Sequence, residues 1–504
     1  MAAALLATAC GARLSPSQLT VARGRAGGTQ VVAGGGGSGS GVAAGGDSTG
    51  ASSGGTNGAT GASPGASNAG PAGATRAGAS TGGAGAARNG SLPSGIAAGG
   101  ATTPGAASRA GATTTAACAA GAGGNGPTDV GVTPTEIDLG NVTTLGGPVP
   151  GLFAGAYYGA LAFAAYQNSM GGVCGRKLAI KSKDDQLDAG QNKAAVDSLN
   201  GQVLGYVGSF SVNDEAGASD MQSAGVPDVG YSLSHQRGAI SVNYSPQPAP
   251  AGWRLGPLTY FKQKFGPSVI TKIAFFTEDI QSAKDAAAGQ LAAAQSLGYK
   301  VVYSRTLEPN EANFQGDVFN MQSKGVKGLI LSGDVGTMSR LAKAIKDGGL
   351  SIPFANWGAS AYDPGFISMS GGGAEGAVLD QNAALFAGED AGVIPEVALF
   401  NTWLKRVSPG QVPDLFAAYA WASVRLLVQA LTKVGPNVTR KALLAALSTI
   451  HSFDDNGMLP SADPAGKQPP TCWLEVDVKG GRFQRGGIDP PSGFVCNPGG
   501  FLKQ

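Results

Sequence analysis

Charge is scarce in this sequence. Asp, Glu, Lys and Arg make up 13% of its 504 residues, about half the roughly 25% of an ordinary soluble chain. The charges nearly cancel, to a net +2, and no block of one sign stands out. Nothing therefore supplies the basic footprint that nucleic acid requires. Histidine is scarcer still: His235 and His451 are the two in the chain, too few and too far apart for a zinc site. A phosphate-cradling Gly-x-x-x-x-Gly-Lys-Ser/Thr loop is missing. So are uninterrupted apolar runs of the roughly 18–20 residues that cross a bilayer. Gly-x-Ser-x-Gly matches occur around Ser48, Ser63 and Ser80. They sit where no strained strand-to-helix elbow can form, so they are accidents of composition. These absences argue against an enzyme and imply neither cofactor nor metal.

Glycine, in contrast, is abundant, with 83 residues. Most of the excess falls between Gly27 and Pro127, a stretch built almost wholly of Gly, Ala, Ser, Thr and Asn. It has too little apolar bulk to offset a backbone ordering cost of roughly 1–2 kcal/mol per residue. The expectation is a disordered tether over 11–127. About 375 residues then remain for folding, enough for two lobes of usual size.

At the N-terminus, Leu5-Leu6-Ala7-Thr8-Ala9-Cys10-Gly11 resembles a bacterial lipobox, in which cleavage precedes a Cys that carries acyl chains. A basic leading segment and a long apolar stretch are missing, as they would be if the chain began upstream of Met1. Residues 1–10 are thus read as a lipoprotein signal and Cys10 as the lipidated residue. Four cysteines remain: Cys118, Cys174, Cys472 and Cys496. An even count in an exported chain suggests two disulfides, for which three connectivities exist. The favoured pairing joins Cys472 to Cys496, across a hairpin-like segment, and Cys118 to Cys174.

Beyond the tether, strand and helix patterns alternate. Strands are expected at 136–143, 177–183, 203–208 and 228–232, with helices over 151–168 and 191–199 between them. A second series follows the Pro-rich turn at 246–250. It has strands at 272–277, 299–304, 328–332 and 352–357, and helices at 283–297, 314–323 and 338–347. Each unit takes roughly 27 residues, the length of one strand plus one crossover helix. The fold class is therefore α/β, two doubly wound parallel-sheet lobes joined by a hinge, at 128–250 and 251–390. Late helices at 396–407, 413–434 and 439–449, then turn-rich strands around 473–478, make 391–504 a segment that crosses between lobes.

These residues also carry a family resemblance. The run Gly147-Pro148-Val149-Pro150, the helix ending at Asn168, Gly171-Gly172-Val173-Cys174-Gly175-Arg176-Lys177-Leu178 and Asp184-Asp185 resembles the opening of leucine/isoleucine/valine-binding-like proteins. Gly225-Val226-Pro227, the strand at 272–277 and the stretch 348–353 follow in matching order, so the resemblance covers about Thr133 to Val478. It implies a type I periplasmic binding protein, which binds a small molecule for an ABC permease.

In a doubly wound sheet, ligands bind beyond the carboxyl ends of the strands. That rule selects Ser209, Phe210 and Ser211 after one strand of the first lobe, and Tyr231, Ser232 and Ser234 after the next. Their hydroxyls and the N–H groups of following helix starts could hold an anionic group, or Ser211 and Ser234 could be helix caps. The resemblance implies the first use, because family members bind the ligand carboxylate at matching places. In the second lobe the rule selects Gln281, Asp334, Trp357, Ser360 and Tyr362. Trp357 and Tyr362 could stack on a ring or aliphatic body, or Trp357 could be core; Asp334 could equally be a helix cap. Amino-acid-binding members place an acid after the last of these strands, and here none occurs before Asp363, a departure that weighs against an amino-acid ligand. The resulting expectation is a monomeric, membrane-tethered lipoprotein on the extracytoplasmic side, taking an amino-acid-like solute or a related organic acid or amide. A sensor of the same fold is the alternative, then a secreted hydrolase.

Overall fold

The computed structural model describes Cys118 and residues 126–504, apart from 148–149, 280, 309–310, 332 and 497–499. The lipobox with Cys10 and nearly all of the expected tether lie outside the described residues. Two disulfides are present, Cys118–Cys174 and Cys472–Cys496, the pairing expected from the sequence. The first joins Cys118, which lies within the expected tether, to Cys174, in the turn before the strand Lys177–Asp184. In the chain-entropy account, closing the loop between Cys472 and Cys496 contributes about 3–4 kcal/mol. The double variant Cys472→Ser/Cys496→Ser should lower the urea midpoint accordingly; an unchanged midpoint would mean that the bond does not form in solution.

The first lobe is built from β1 (Glu136–Thr143), α1 (Ala154–Ser169), β2 (Lys177–Asp184), α2 (Ala189–Asn200), β3 (Gly205–Val207), α3 (Ala218–Ser223), β4 (Asp228–Val229) and α4 (His235–Ala239). Its sheet runs β2-β1-β3-β4, all parallel, so the winding reverses between β1 and β3.

The chain then passes through β5 (Gly252–Arg254) into α5 (Gly256–Phe265), α6 (Pro267–Ile270), β6 (Ile273–Glu278), α7 (Gln281–Ser296), β7 (Val301–Leu307), α8 (Gln315–Ser323), β8 (Gly328–Leu331), α9 (Val335–Asp347), β9 (Phe354–Asn356), α10 (Pro364–Met369) and β10 (Val378–Gln381). Its fully apolar interior strands, such as Gly328–Leu331, are buried along their whole length, as a sheet covered on both faces requires.

The late segment divides between the lobes. Helices α11 (Pro395–Val407), α12 (Leu415–Val434) and α13 (Arg440–Leu447) return to the first lobe, where α12 packs along α1 and against β3 and β4. Strands β11 (Cys472–Lys479), β12 (Arg482–Arg485) and β13 (Val495–Cys496) go back to the second. The second sheet is therefore ordered β12-β11-β10-β9-β8-β6-β7, parallel from β10 to β7 and antiparallel at the added edge. The last strand, β14 (Phe501–Lys503), pairs antiparallel with β5. Neither β5, β10, β14 nor α5 is expected from the sequence pattern.

Helix α12 has the length and hydropathy of a membrane span, but 78% of its apolar window is buried. Its small residues let α1 approach closely: a side chain at Gly159 would overlap the Ala417 carbonyl. Phe163 and Tyr166 of α1, Trp421 of α12 and Phe400 of α11 meet edge to face beside it. Gly208 has a φ of 58°, and a Cβ there would come within 2.8 Å of Ala420. Only glycine fits this turn, and it is the turn that presents Ser209 at the end of β3.

Candidate ligand-binding site

Three stretches of chain connect the lobes: residues 244–252, 382–394 and 450–471. They are tied to one another and to the lobes. Gln247 Nε2 donates to the Pro460 carbonyl at 2.7 Å, and the Ala384 N–H to Met458 at 2.8 Å. Lys467 Nζ donates to the carbonyls of Gly238, Ile240 and Asn243. Arg485 holds Asp390 through two nitrogens, at 2.8 and 2.7 Å.

A cavity opens where the crossings meet. Tyr231 and Ser232 line it from the first lobe, Asp285 and Ala286 from α7 of the second, and Gln247, Asn382 and Pro469 from the crossings. Its volume is about 60 Å³, far below the roughly 300–1,000 Å³ of an ordinary ligand pocket.

The strand ends of the first lobe are organised from below by one side chain. Arg237 is 1% exposed; its Nε and one terminal nitrogen bond the two oxygens of Asp228 at 2.9 and 2.8 Å. The other terminal nitrogen reaches the carbonyls of Ser209 and Tyr231 and, at 3.4 Å, Asp214. Asp214 in turn accepts from the N–H groups of Leu233 and Ser234. Both expected binding loops thus hang from a single buried ion cluster. Burial works against the Arg237 charge, but Asp228 and Asp214 more than offset it and hold the guanidinium above its usual range. Burial pushes Asp214 up, opposed by Arg237 and by its hydrogen bonds.

The selected residues play several parts. Ser209 Oγ accepts from the Val142 N–H and Ser211 Oγ from that of Asn213. Ser234 caps α4 by accepting from Arg237 N. Phe210 is wholly buried between Phe153, Tyr231 and Phe416, and Tyr231 stacks at 5.1 Å on Tyr419. In the second lobe, Asp334 caps α9 through Thr337 N, while its own N–H donates to Glu278. This meeting follows from topology, since the winding of the second sheet reverses between β6 and β8. Burial, and then the Asp334 charge, raise Glu278 well above the usual carboxylate range. Trp357 packs on Phe366, Ser360 donates to the Gly333 carbonyl, and Tyr362 donates to Glu389 between Phe386 and Phe483. The Gln281 side chain lies outside the described residues. Tyr231 and Ser232 are the selected residues that line the cavity; Asp334, Trp357, Ser360 and Tyr362 are buried within the second lobe.

Sequence reasoning passed over the residues of the crossings. Gln247, Trp253, Arg254 and Asn382 all line the cavity. The one available signal was an isolated Trp-Arg pair after the Pro-rich turn, which a rule about strand ends does not select. Among the described residues, no group of three or more His, Cys, Asp or Glu is placed to hold a metal ion.

Residues 136–482 match the family described as periplasmic binding protein. The chain belongs to that family and has its type I fold, a ligand-binding architecture of extracytoplasmic proteins. No curated protein matches it in sequence. Among solved structures it is similar to a fatty acid ABC transporter substrate-binding protein from Thermomonospora curvata, with a TM-score of 0.60 and 18% identity over 74% of this chain and 95% of that one. It is similar also to a leucine-binding protein from Thermotoga maritima, with a TM-score of 0.59 and 14% identity over 70% and 98%. The isoleucine-bound branched-chain amino acid transporter binding protein of Streptococcus pneumoniae gives 0.59 and 15% over 72% and 99%.

Proposed function

We propose that this chain captures a small molecule between its lobes and delivers it to an ABC permease. It acts as a monomer, held at the outer face of the membrane through a lipid on Cys10 and the long Gly-rich stretch that follows. The observation that carries this reading is the cavity bounded at once by both lobes and all three crossings. In such an arrangement ligand contacts and lobe closure are the same event. The related structures name leucine, isoleucine and fatty acid as cargo, and the solute here is of that general kind, an amino-acid-like molecule or a related organic acid or amide. Binding without turnover is the whole activity.

A thermal-shift screen of the full chain tests this. The panel holds branched-chain amino acids, their amides and keto acids, aromatic acids, fatty acids and small polyols. At a hundredfold excess over its dissociation constant, a true ligand adds about 2.7 kcal/mol of stability and should be recovered unchanged. A panel that shifts nothing, or a ligand that is consumed, would overturn the reading.

A further inference from the structure

A larger hollow lies on the first lobe, where α1, α12 and the start of the third crossing come together. Its volume is about 790 Å³, inside the roughly 300–1,000 Å³ of an ordinary ligand pocket. It shares no lining residue with the interlobe cavity. Phe163, Tyr166, Val428 and Phe453 give it an apolar side. The turn at 171–175, cross-linked by the Cys118–Cys174 disulfide, forms part of its wall.

The polar side is anchored and rich in acceptors. Gln167 of α1 donates through Nε2 to the Gly172 carbonyl at 2.7 Å, and Asn456 of the crossing donates through Nδ2 to Glu396 at 2.9 Å. Each amide is fixed by its nitrogen, so its oxygen is the acceptor it has left among the described residues. Asp455, 1% exposed, lines the same hollow: Arg425 faces its Oδ1 at 2.7 Å, and its Oδ2 has no hydrogen-bond partner. Buried polar atoms are nearly always satisfied in folded proteins. Charge, in contrast, is balanced. Arg425 is spent on Glu396 and Asp455, and one exposed group of each sign, Lys433 and Asp454, lines the remainder. The backbone here is also unusual. Asp455, Asn456 and Gly457 have φ values of 50°, 54° and 84°, a left-handed run that disfavours the first two and is typical of ligand clamps and hinges.

We infer that this hollow is a second binding site, for a neutral polyhydroxylated molecule of oligosaccharide size. Gln167 Oε1 and Asn456 Oδ1 accept its hydroxyls, one hydroxyl reaching the floor satisfies Asp455 Oδ2, and an apolar sugar face lies against Tyr166 and Phe453. A charged ligand finds no unspent countercharge here, and a purely apolar one leaves the acceptors unmade. The site lies outside the cleft between the lobes, and the inference does not depend on the solute-capture reading.

Isothermal titration calorimetry on the full chain provides the test, with maltotriose, cellotriose and chitotriose as probes and spermidine as a charged control. At least one trisaccharide should bind one-to-one at millimolar strength or tighter, and spermidine should not bind. Asn456→Gly keeps the left-handed backbone and should weaken that binding about tenfold, the worth of one good hydrogen bond. Gln429 is exposed on the α12 wall, so Gln429→Trp should fold normally, fill the hollow and abolish saccharide binding. Failure of all three trisaccharides to bind would overturn the assignment, as would undiminished binding in folded Gln429→Trp. Spermidine binding that Gln429→Trp removes would overturn the ligand class. Solute capture is read separately by the thermal-shift screen and stands or falls on that result alone.

Discussion

Replacing Arg237 with Met should cost about 3–5 kcal/mol of stability, the usual penalty for removing one partner of a buried ion pair. The side chain is 1% exposed, and it leaves behind Asp228 at 0% and Asp214 at 3%. Both carboxylates are buried, so solvent is not at hand to replace what is lost. The urea midpoint should fall by about 1 M or more, and Arg237→Lys, with one charge but no fork, should fall between variant and parent. The consequence for binding is separable. Because Arg237 also holds the carbonyls of Ser209 and Tyr231, any surviving Arg237→Lys protein should bind its solute more weakly in proportion to the disorder of those loops. A midpoint unchanged in Arg237→Met would mean that the two acids find other partners, and the cluster would not organise the first lobe.

Arg425→Met should be comparably severe, with a pronounced pH signature. Arg425 sits between Glu396 of α11 and Asp455 of the third crossing, both nearly inaccessible, and its guanidinium lies over the Phe163 ring at 4.8 Å. Glu396 keeps bonds from Trp421 Nε1 and Asn456 Nδ2. Asp455 has no hydrogen bond to fall back on. Burial, then Glu396, already push Asp455 well above its ordinary range, and Arg425 is the group that opposes them. A carboxyl whose folded value lies above its unfolded one favours the fold when protonated. Its contribution is present below about pH 4 and is lost as pH rises through the folded value. Without Arg425 that value climbs further. The stability deficit of Arg425→Met should therefore be small near pH 4 and grow steadily toward pH 8, read as urea midpoints along the series. A deficit independent of pH would contradict the assigned role of Asp455. Since Asp455 belongs to the crossing that returns the chain to the second lobe, the same variant should loosen lobe closure.

The βα alternation was legible because its signals are local. Strands such as Ile273–Glu278 and Gly328–Leu331 are short apolar runs, stopped by Asp, Glu or Gly where the chain turns. The destination of the late helices was not legible: α12 finds α1 across more than two hundred residues, and no local pattern encodes that pairing. The same holds for β10, a four-residue strand whose identity comes from β11 beside it. For the site, the strand-end rule selected loops that Arg237 turns out to support, and Asp334, whose N–H meets Glu278. It could not show which hydroxyls would be spent on backbone, as those of Ser209, Ser211 and Ser234 are. It also passed over Trp253 and Arg254 of β5 and Asn382 of a crossing, because such residues come together only once two lobes meet around them.

The central claim is that ligand capture and lobe closure are one event, and an interlobe distance tests it most directly. Spin labels placed by Ser198→Cys on α2 and Phe319→Cys on α8, both exposed, in a Cys10→Ser background would report it by pulsed electron resonance. With the tightest ligand from the screen, the distance distribution should shorten and narrow to a single population. A distribution identical with and without saturating ligand would contradict capture by closure.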